Sequence, residues 1–231
     1  MALTQVGPAI SYAAASLNGI AASGQVFVAS NIAIGTPTAG TGVTWVAAQT
    51  TFADTQPNFI IQNSDTVKSI HLLAIKMTAS AIGTSATSWH YAGVLDTAAR
   101  AITTNHYASA AVYGANSGAL TPQGFSLPSV LYQTGTTAGV IAASSANSRL
   151  ISRGSLGGLN IVGDEFLVKF GSFEGSGTTA LTAAEAAGVG TRKSSDGPVV
   201  IAPGSSYTFT LWGIASAAAI NPDFQIWMAA F

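Results

Sequence analysis

The sequence predicts an all-β protein: an antiparallel β-sandwich, a jelly roll of about eight strands, with an extended N-terminal arm. Three observations point there. Apolar and polar side chains alternate with strand period in several short segments. Gly, Pro, Asn and Ser punctuation separates those segments. The segments themselves are rich in β-branched and aromatic residues, and no long stretch with helical period competes with them. The organisation that follows is an arm with accessory strands over residues 1–54 and a sandwich domain over 55–231. Deleting the arm is expected to leave the sandwich folded and to weaken any assembly.

Taken in order, residues 8–19 allow one short helix. Pro8 suits a first turn, Ile10, Ala13, Ala14 and Leu17 share a face, and Asn18–Gly19 is a stop signal. Strand-like islands follow at Gln25–Ser30 and Val43–Ala48. Phe59, Ile60 and Ile61 form an apolar run closed by Asn63, Ser64 and Asp65. Ser69–Ala79 carries apolar residues on both faces (His71, Leu73, Ile75 and Met77; Ile70, Leu72 and Ala74), which suggests a strand buried on both sides. In Ser88–Asp96, Trp89, Tyr91 and Leu95 alternate with Ser88, His90 and Asp96. Short strands are expected at Ala108–Tyr113, Ser129–Gln133 and Arg149–Arg153.

Residues 157–171, GGLNIVGDEFLVKFG, read as glycines that turn the chain and a half-buried strand with Phe166, Val168 and Phe170 facing the core. Thr182–Glu185 has the form of a capping box, cut short by Gly188. Arg192 and Lys193 read as a solvated loop. Val199–Ala202 leads into a Pro203–Gly204 turn. Tyr207, Phe209 and Leu211 then alternate with Thr208, Thr210 and Trp212. After a break at Asn221–Pro222, Phe224, Ile226 and Met228 alternate with Gln225, Trp227 and Ala229.

The chain has 231 residues, of which only 7% are Asp, Glu, Lys or Arg, with a formal net charge of −1. Ordinary soluble domains carry about 25% charged residues. Residues 1–53 and 101–148 contain none. So little charge argues against a nucleic-acid footprint, which needs Lys/Arg clusters. It also leaves a free monomer with little to keep it soluble. A surface that meets other protein chains resolves that difficulty. Cysteine is absent, which removes disulfides, thiolate nucleophiles and cysteine metal sites. Ser11, Ser16, Asn18, Ser23, Gln25, Ser30 and Asn31 interrupt the apolar runs of residues 9–35. A membrane span, which wants about 20 predominantly apolar residues, is therefore not expected. Residues 1–20 also lack the positive charge of a secretory signal.

No catalytic motif is present. There is no G-x-S-x-G elbow, no phosphate-binding loop and no H-E-x-x-H. His71 reads as a packed strand residue, His90 as surface or interface polarity, and His106 as a loop residue. Asp164 and Glu165 are adjacent on a strand and so point to opposite faces, which does not suit an acid–base pair. Neither an enzyme, a cofactor nor a metal site is expected. Arg149 and Arg153 are two of only eight cations, and such arginines suit carboxylates of the same or a neighbouring chain. With Glu165, Lys169 and Trp45 they form the candidate subunit-interface set. Trp45, Trp89, Trp212 and Trp227 could instead stack on a glycan, although strand patterns place three of them in a core or interface.

The segments KSIHLLAIKMTASAIGTSATSWHYAGVLDTAAR (68–100), GLNIVGDEFLVKFGS (158–172), VVIAPGSSYTFTLWG (199–213) and PDFQIWMAAF (222–231) resemble jelly-roll virion structural proteins of bacteriophages, of the capsid coat or cement (decoration) type. The resemblance spans roughly residues 55–231, rests on strand-and-turn patterns and brings no catalytic residues with it. It implies a subunit that tiles or staples an icosahedral shell, often as a trimer. Its partners would be copies of itself and other capsid proteins, and its place the virion, assembled in the host cytoplasm. The lack of a basic arm favours a cement role over a genome-lining coat. The alternative is a tail- or fibre-associated domain that binds glycans or a receptor; a histidine-dependent hydrolase ranks last.

Overall fold

In the computed structural model, residues 25–31, 49–81, 88–114, 128–134, 138–158, 163–171, 191–214 and 221–231 are described. The expected helix over 8–19, the Val43–Ala48 island, the capping box at 182–185 and Trp45 lie outside them. Among the described residues every regular element is a strand. The fifteen strands are β1 (Val26–Ser30), β2 (Phe59–Gln62), β3 (Ile70–Ala81), β4 (Ser88–Asp96), β5 (Ile102–Thr104), β6 (Tyr107–Ser109), β7 (Ala111–Gly114), β8 (Ser129–Gln133), β9 (Val140–Ile141), β10 (Arg149–Gly158), β11 (Glu165–Phe170), β12 (Thr191–Asp196), β13 (Val199–Ile201), β14 (Ser206–Ile214) and β15 (Asn221–Ala230). The count exceeds the expected eight because β5, β6, β7, β9 and β13 have four residues or fewer, β1 falls in the expected arm and β12 includes Arg192 and Lys193, expected in a loop. Runs that short are too brief to show alternation.

One sheet runs β12-β11-β3-β15-β1-β7, with β13 also on β3; a second runs β10-β4-β14-β2-β8-β6; β5 and β9 form a separate pair. All pairings are antiparallel except β11 with β12, which is parallel. The pairing is nested. β1 pairs β15, β2 pairs β14, β3 pairs β13, β4 pairs β10, β5 pairs β9 and β6 pairs β8. Among the described residues these six pairings thus lie one inside the next, and the two sheets pack face to face. Rings from opposite sheets meet in the core: Phe59 lies 4.5 Å from Phe224, Tyr132 lies 5.3 Å from Phe224 and Phe170 lies 6.2 Å from Tyr207, all edge to face. Each fully buried Phe contributes roughly 1.5–3 kcal/mol by leaving water.

Five sequence expectations change on this scaffold. β1 lies inside the first sheet, between β15 and β7, with Val26, Phe27 and Ala29 buried. That part of residues 1–54 is a core strand. β3 is not buried on both sides by symmetry; a bulge switches its faces. Leu72 pairs Met228 and Ala74 pairs Trp227, leaving Leu73 as the extra residue. Ile70 and Leu72 before it, and Ile75, Met77 and Ala79 after it, all enter the core. A one-residue slip inverts which side chains face inward, which is why both faces look apolar in the sequence.

The single strand expected over Ala108–Tyr113 breaks at Ala110. β6 before it joins β8 in the second sheet, and β7 after it joins β1 in the first. The fourth change concerns Gly157 and Gly158, which do not turn the chain: they end β10, paired with Trp89 and Ser88. The turn into β11 uses Gly163 instead, whose φ of 93° is open to glycine and strained for other residues. Finally, Arg192 and Lys193 belong to β12. β11 and β15 follow their patterns: Phe166, Val168 and Phe170 of β11, and Phe224, Ile226 and Met228 of β15, are buried. The Pro203–Gly204 turn before β14 has φ of 74° at the glycine.

Candidate functional surfaces

Beyond its apolar core, the molecule uses polar side chains in three places. The first is a knot on the outer face of the second sheet. Residues 49–57 and 142–148 fold across that face, which explains why Thr208 and Thr210 of β14 are buried although their type and parity suit solvent. Arg100 ties the two segments down. Its Nη1 and Nη2 donate to the two Asp54 carboxylate oxygens at 3.0 and 2.8 Å, and Nε donates to the Ala142 carbonyl at 2.9 Å. The Arg100 side chain is only 3% exposed. Such a fork of parallel hydrogen bonds is the strong form of an ion pair.

The Ser144 amide also donates to Asp54, and the Ser145 amide and hydroxyl donate to Asp96. Burial alone would raise the Asp54 carboxyl. The Arg100 hydrogen bond, the Ser144 amide and the Arg100 charge reverse this and hold it below its ordinary value. Asp96 is lowered in the same way, burial being outweighed mainly by Ser145.

The second place is the edge where β10 and β12 meet. Tyr91 of β4 donates from its hydroxyl to Asp196 at 2.8 Å, and the Tyr207 and Ser152 hydroxyls share a 2.7 Å hydrogen bond. Burial raises the Asp196 carboxyl, and the Tyr91 hydroxyl and Arg153 amide offset this only in part. Both tyrosine rings need room that only glycine leaves. A Cβ on Gly93 would collide with the Tyr207 hydroxyl and Ser152, and a Cβ on Gly154 would sit 2.6 Å from the Tyr91 ring.

The third is the outer face of the first sheet. Register places Lys76 of β3 between Leu167 of β11 and Gln225 of β15, and Thr78 between Glu165 and Asp223. Lys76 reaches diagonally to Glu165, Nζ to Oε1 at 2.7 Å. On the other side, Lys76, Thr78, Asp223, Phe224 and Gln225 line a cavity of about 150 Å³. Asp223 has a buried oxygen, Oδ1, with no hydrogen-bond partner among the described residues. Burial raises its carboxyl above the ordinary value of 3.8.

The candidate interface residues divide between two of these places. Glu165 and Lys169 are on β11, the former in the ion pair with Lys76 and the latter exposed. Arg149 and Arg153 are exposed along β10, an edge strand of the second sheet. Arg149 donates from Nη1 to the carbonyl of Ser148, and the Arg153 amide serves Asp196. Leu150, next to Arg149, is 56% exposed.

The histidines do not converge. His71 packs edge-on against Phe231 at 5.0 Å, its pKa lowered by burial, while His90 stacks on Trp212 at 5.9 Å and His106 lies between β5 and β6. His90 and Asp96 serve different contacts, since Asp96 is held by Ser145. Among the described residues no group of three or more His, Asp or Glu could hold a metal ion. Nor is any described helix long and apolar enough to cross a membrane. Trp89 and Trp212 are buried, and Trp227 is partly so.

Arg100, Asp54 and Asp223 are polar residues that pattern reading passes over. A faint signal exists for two of them: Asp54 is the first charge after residues 1–53, and Arg100 the last before the charge-free stretch 101–148. Comparison with protein-family models, curated proteins and solved structures finds no match for the chain.

Proposed function

We propose that this chain is a structural subunit of a virus-type shell, a bacteriophage coat or cement protein that works through contacts with copies of itself and with other shell proteins. The observation that carries the reading is the scarcity of charge, 7% of residues with two long charge-free stretches. A monomer surface so poor in charge is a colloidal liability, whereas surfaces buried between subunits have no such need. The nested pairing of β1–β15 through β6–β8 supports a jelly-roll arrangement, a plan that shell proteins share with lectin domains and cupins. Exposed apolar side chains at Phe52, Val67, Ile102, Leu150 and Val200 are spread over several elements, as contacts with several neighbours would require. The chain acts without a cofactor in this reading, and its work is adhesion rather than turnover.

The glycan-binding alternative draws less support, because Trp89 and Trp212 are committed to packing. Electron microscopy and sedimentation of the purified chain test the proposal. Closed shells, or oligomers that attach to purified particles, are the expected result. A protein that stays monomeric and is absent from particles contradicts it.

A further inference from the structure

The Asp223 cavity is the place where the fold leaves a charge unfinished. Buried polar atoms nearly always have partners, and a native exception calls for a reason. Asp223 Oδ1 is buried without one among the described residues. The cation nearest in register, Lys76, is already committed across β3 to Glu165. That leaves the Asp223 Oδ1 at the cavity wall without a hydrogen-bond partner among the described residues. Thr78 and Gln225 add a hydroxyl and an amide; Phe224 also borders the cavity, while its ring packs in the core against Phe59 and Tyr132. The volume, about 150 Å³, would hold several water-sized groups at about 30 Å³ each. This combination suits a planar cation on an aliphatic stem: a guanidinium pairs with a carboxylate through a two-pronged fork and tolerates loss of water better than an ammonium.

Resting on the self-assembly reading above, we propose that this cavity receives Arg149 from a second copy of the chain. Arg149 is exposed at the start of the edge strand β10, and its neighbour Leu150 is 56% exposed, so the corner offers a cation and an apolar side chain together. Arg153 suits the role less, because its amide is held at Asp196, where the two sheet edges meet. β10 edges the second sheet, whereas the cavity opens on the outer face of the first, between β3 and β15. Donor and acceptor thus occupy different surfaces of one subunit. Such a contact is head to tail, and it builds rings or larger shells rather than closed two-fold dimers.

Sedimentation velocity of the full-length chain at low and high salt, for the wild type, Asp223→Asn, Arg149→Gln and the double variant, tests the pairing. Each single substitution should weaken association at least about tenfold. The double variant should be no weaker than either single one, since both remove the same contact. Asp223→Asn should still unfold cooperatively, because it takes away a buried charge rather than a bond.

Association unchanged in either single variant, or losses that add in the double variant, would overturn the pairing while leaving the assembly reading intact. An Asp223→Asn chain that no longer folds would overturn it too, by showing that the carboxylate holds the monomer together. A wild type that never associates removes both the pairing and the reading it rests on.

Discussion

Two half-buried carboxylates in this molecule have opposite fates. Asp54 is met by both prongs of Arg100 and by the Ser144 amide. Asp223, at the start of β15, keeps an oxygen without a partner, although Lys76 lines the same cavity. In the first case desolvation is offset within the chain, and the result is a staple that fastens residues 49–57 and 142–148 over the second sheet. In the second the desolvation cost stands uncompensated, and the lysine serves Glu165 instead. The difference separates what holds the chain together from what it leaves available. In a chain so poor in charge, a charged side chain kept in a desolvated place without a partner is a stability cost that function can explain.

That contrast can be broken or sharpened by substitution. The largest effect should come from deleting residues 1–31, which removes β1 and with it Val26, Phe27 and Ala29 from the core. Calorimetry should then show no cooperative transition; an intact transition would mean that β1 is dispensable after all. Arg100→Ala should come next, costing about 3 kcal/mol in denaturant unfolding, because it leaves the half-buried Asp54 carboxylate with only the Ser144 amide. A cost within experimental error would show that the knot is ornamental.

Gly93→Ala should cost about 1–3 kcal/mol through collision with Tyr207 and Ser152, and the Gly93→Ala, Tyr207→Phe pair should recover part of it. Asp223→Asn should have the smallest effect on the monomer and the opposite sign at neutral pH, where its unfolding midpoint should equal or exceed that of the wild type.

The pH dependence of that last comparison follows from the shifts. The folded Asp223 carboxyl lies above 3.8, so the stability linked to it is complete below that pH and is lost as pH rises through the folded value. Asn at 223 removes this loss, and the two unfolding curves should converge as pH falls toward 3.8. Asp54 behaves the other way: its contribution is complete above 3.8 and is lost as pH falls through its lowered folded value. Acid unfolding of Arg100→Ala should therefore be less steep than that of the wild type. Parallel acid limbs would contradict the assignment.

Much of the fold was legible because half-buried strands advertise themselves. β11 alternates in the sequence and packs as that alternation requires, as do Phe224, Ile226 and Met228 of β15. The bulge at Leu73 was not legible, since a one-residue insertion produces the same two-faced apolar pattern as a strand buried on both sides. β1 was hidden for a related reason: its run of five residues is short and set among small residues, and only its partners β15 and β7, distant in sequence, show it to be core.

Of the candidate surfaces, Glu165, Lys169, Arg149 and Arg153 stood out as rare charges, which is a compositional signal. Arg100 and Asp223 depend on which segments fold over which sheet, and no local pattern carries that. Trp45 lies outside the described residues.

In the proposed function, this surface is built to meet other subunits. Its most direct measurement is the sedimentation profile of the purified full-length chain over a wide concentration range, with electron microscopy of the fastest fraction. The account predicts reversible or closed assemblies that grow with concentration. A single monomeric species throughout, soluble and indifferent to salt, would contradict it.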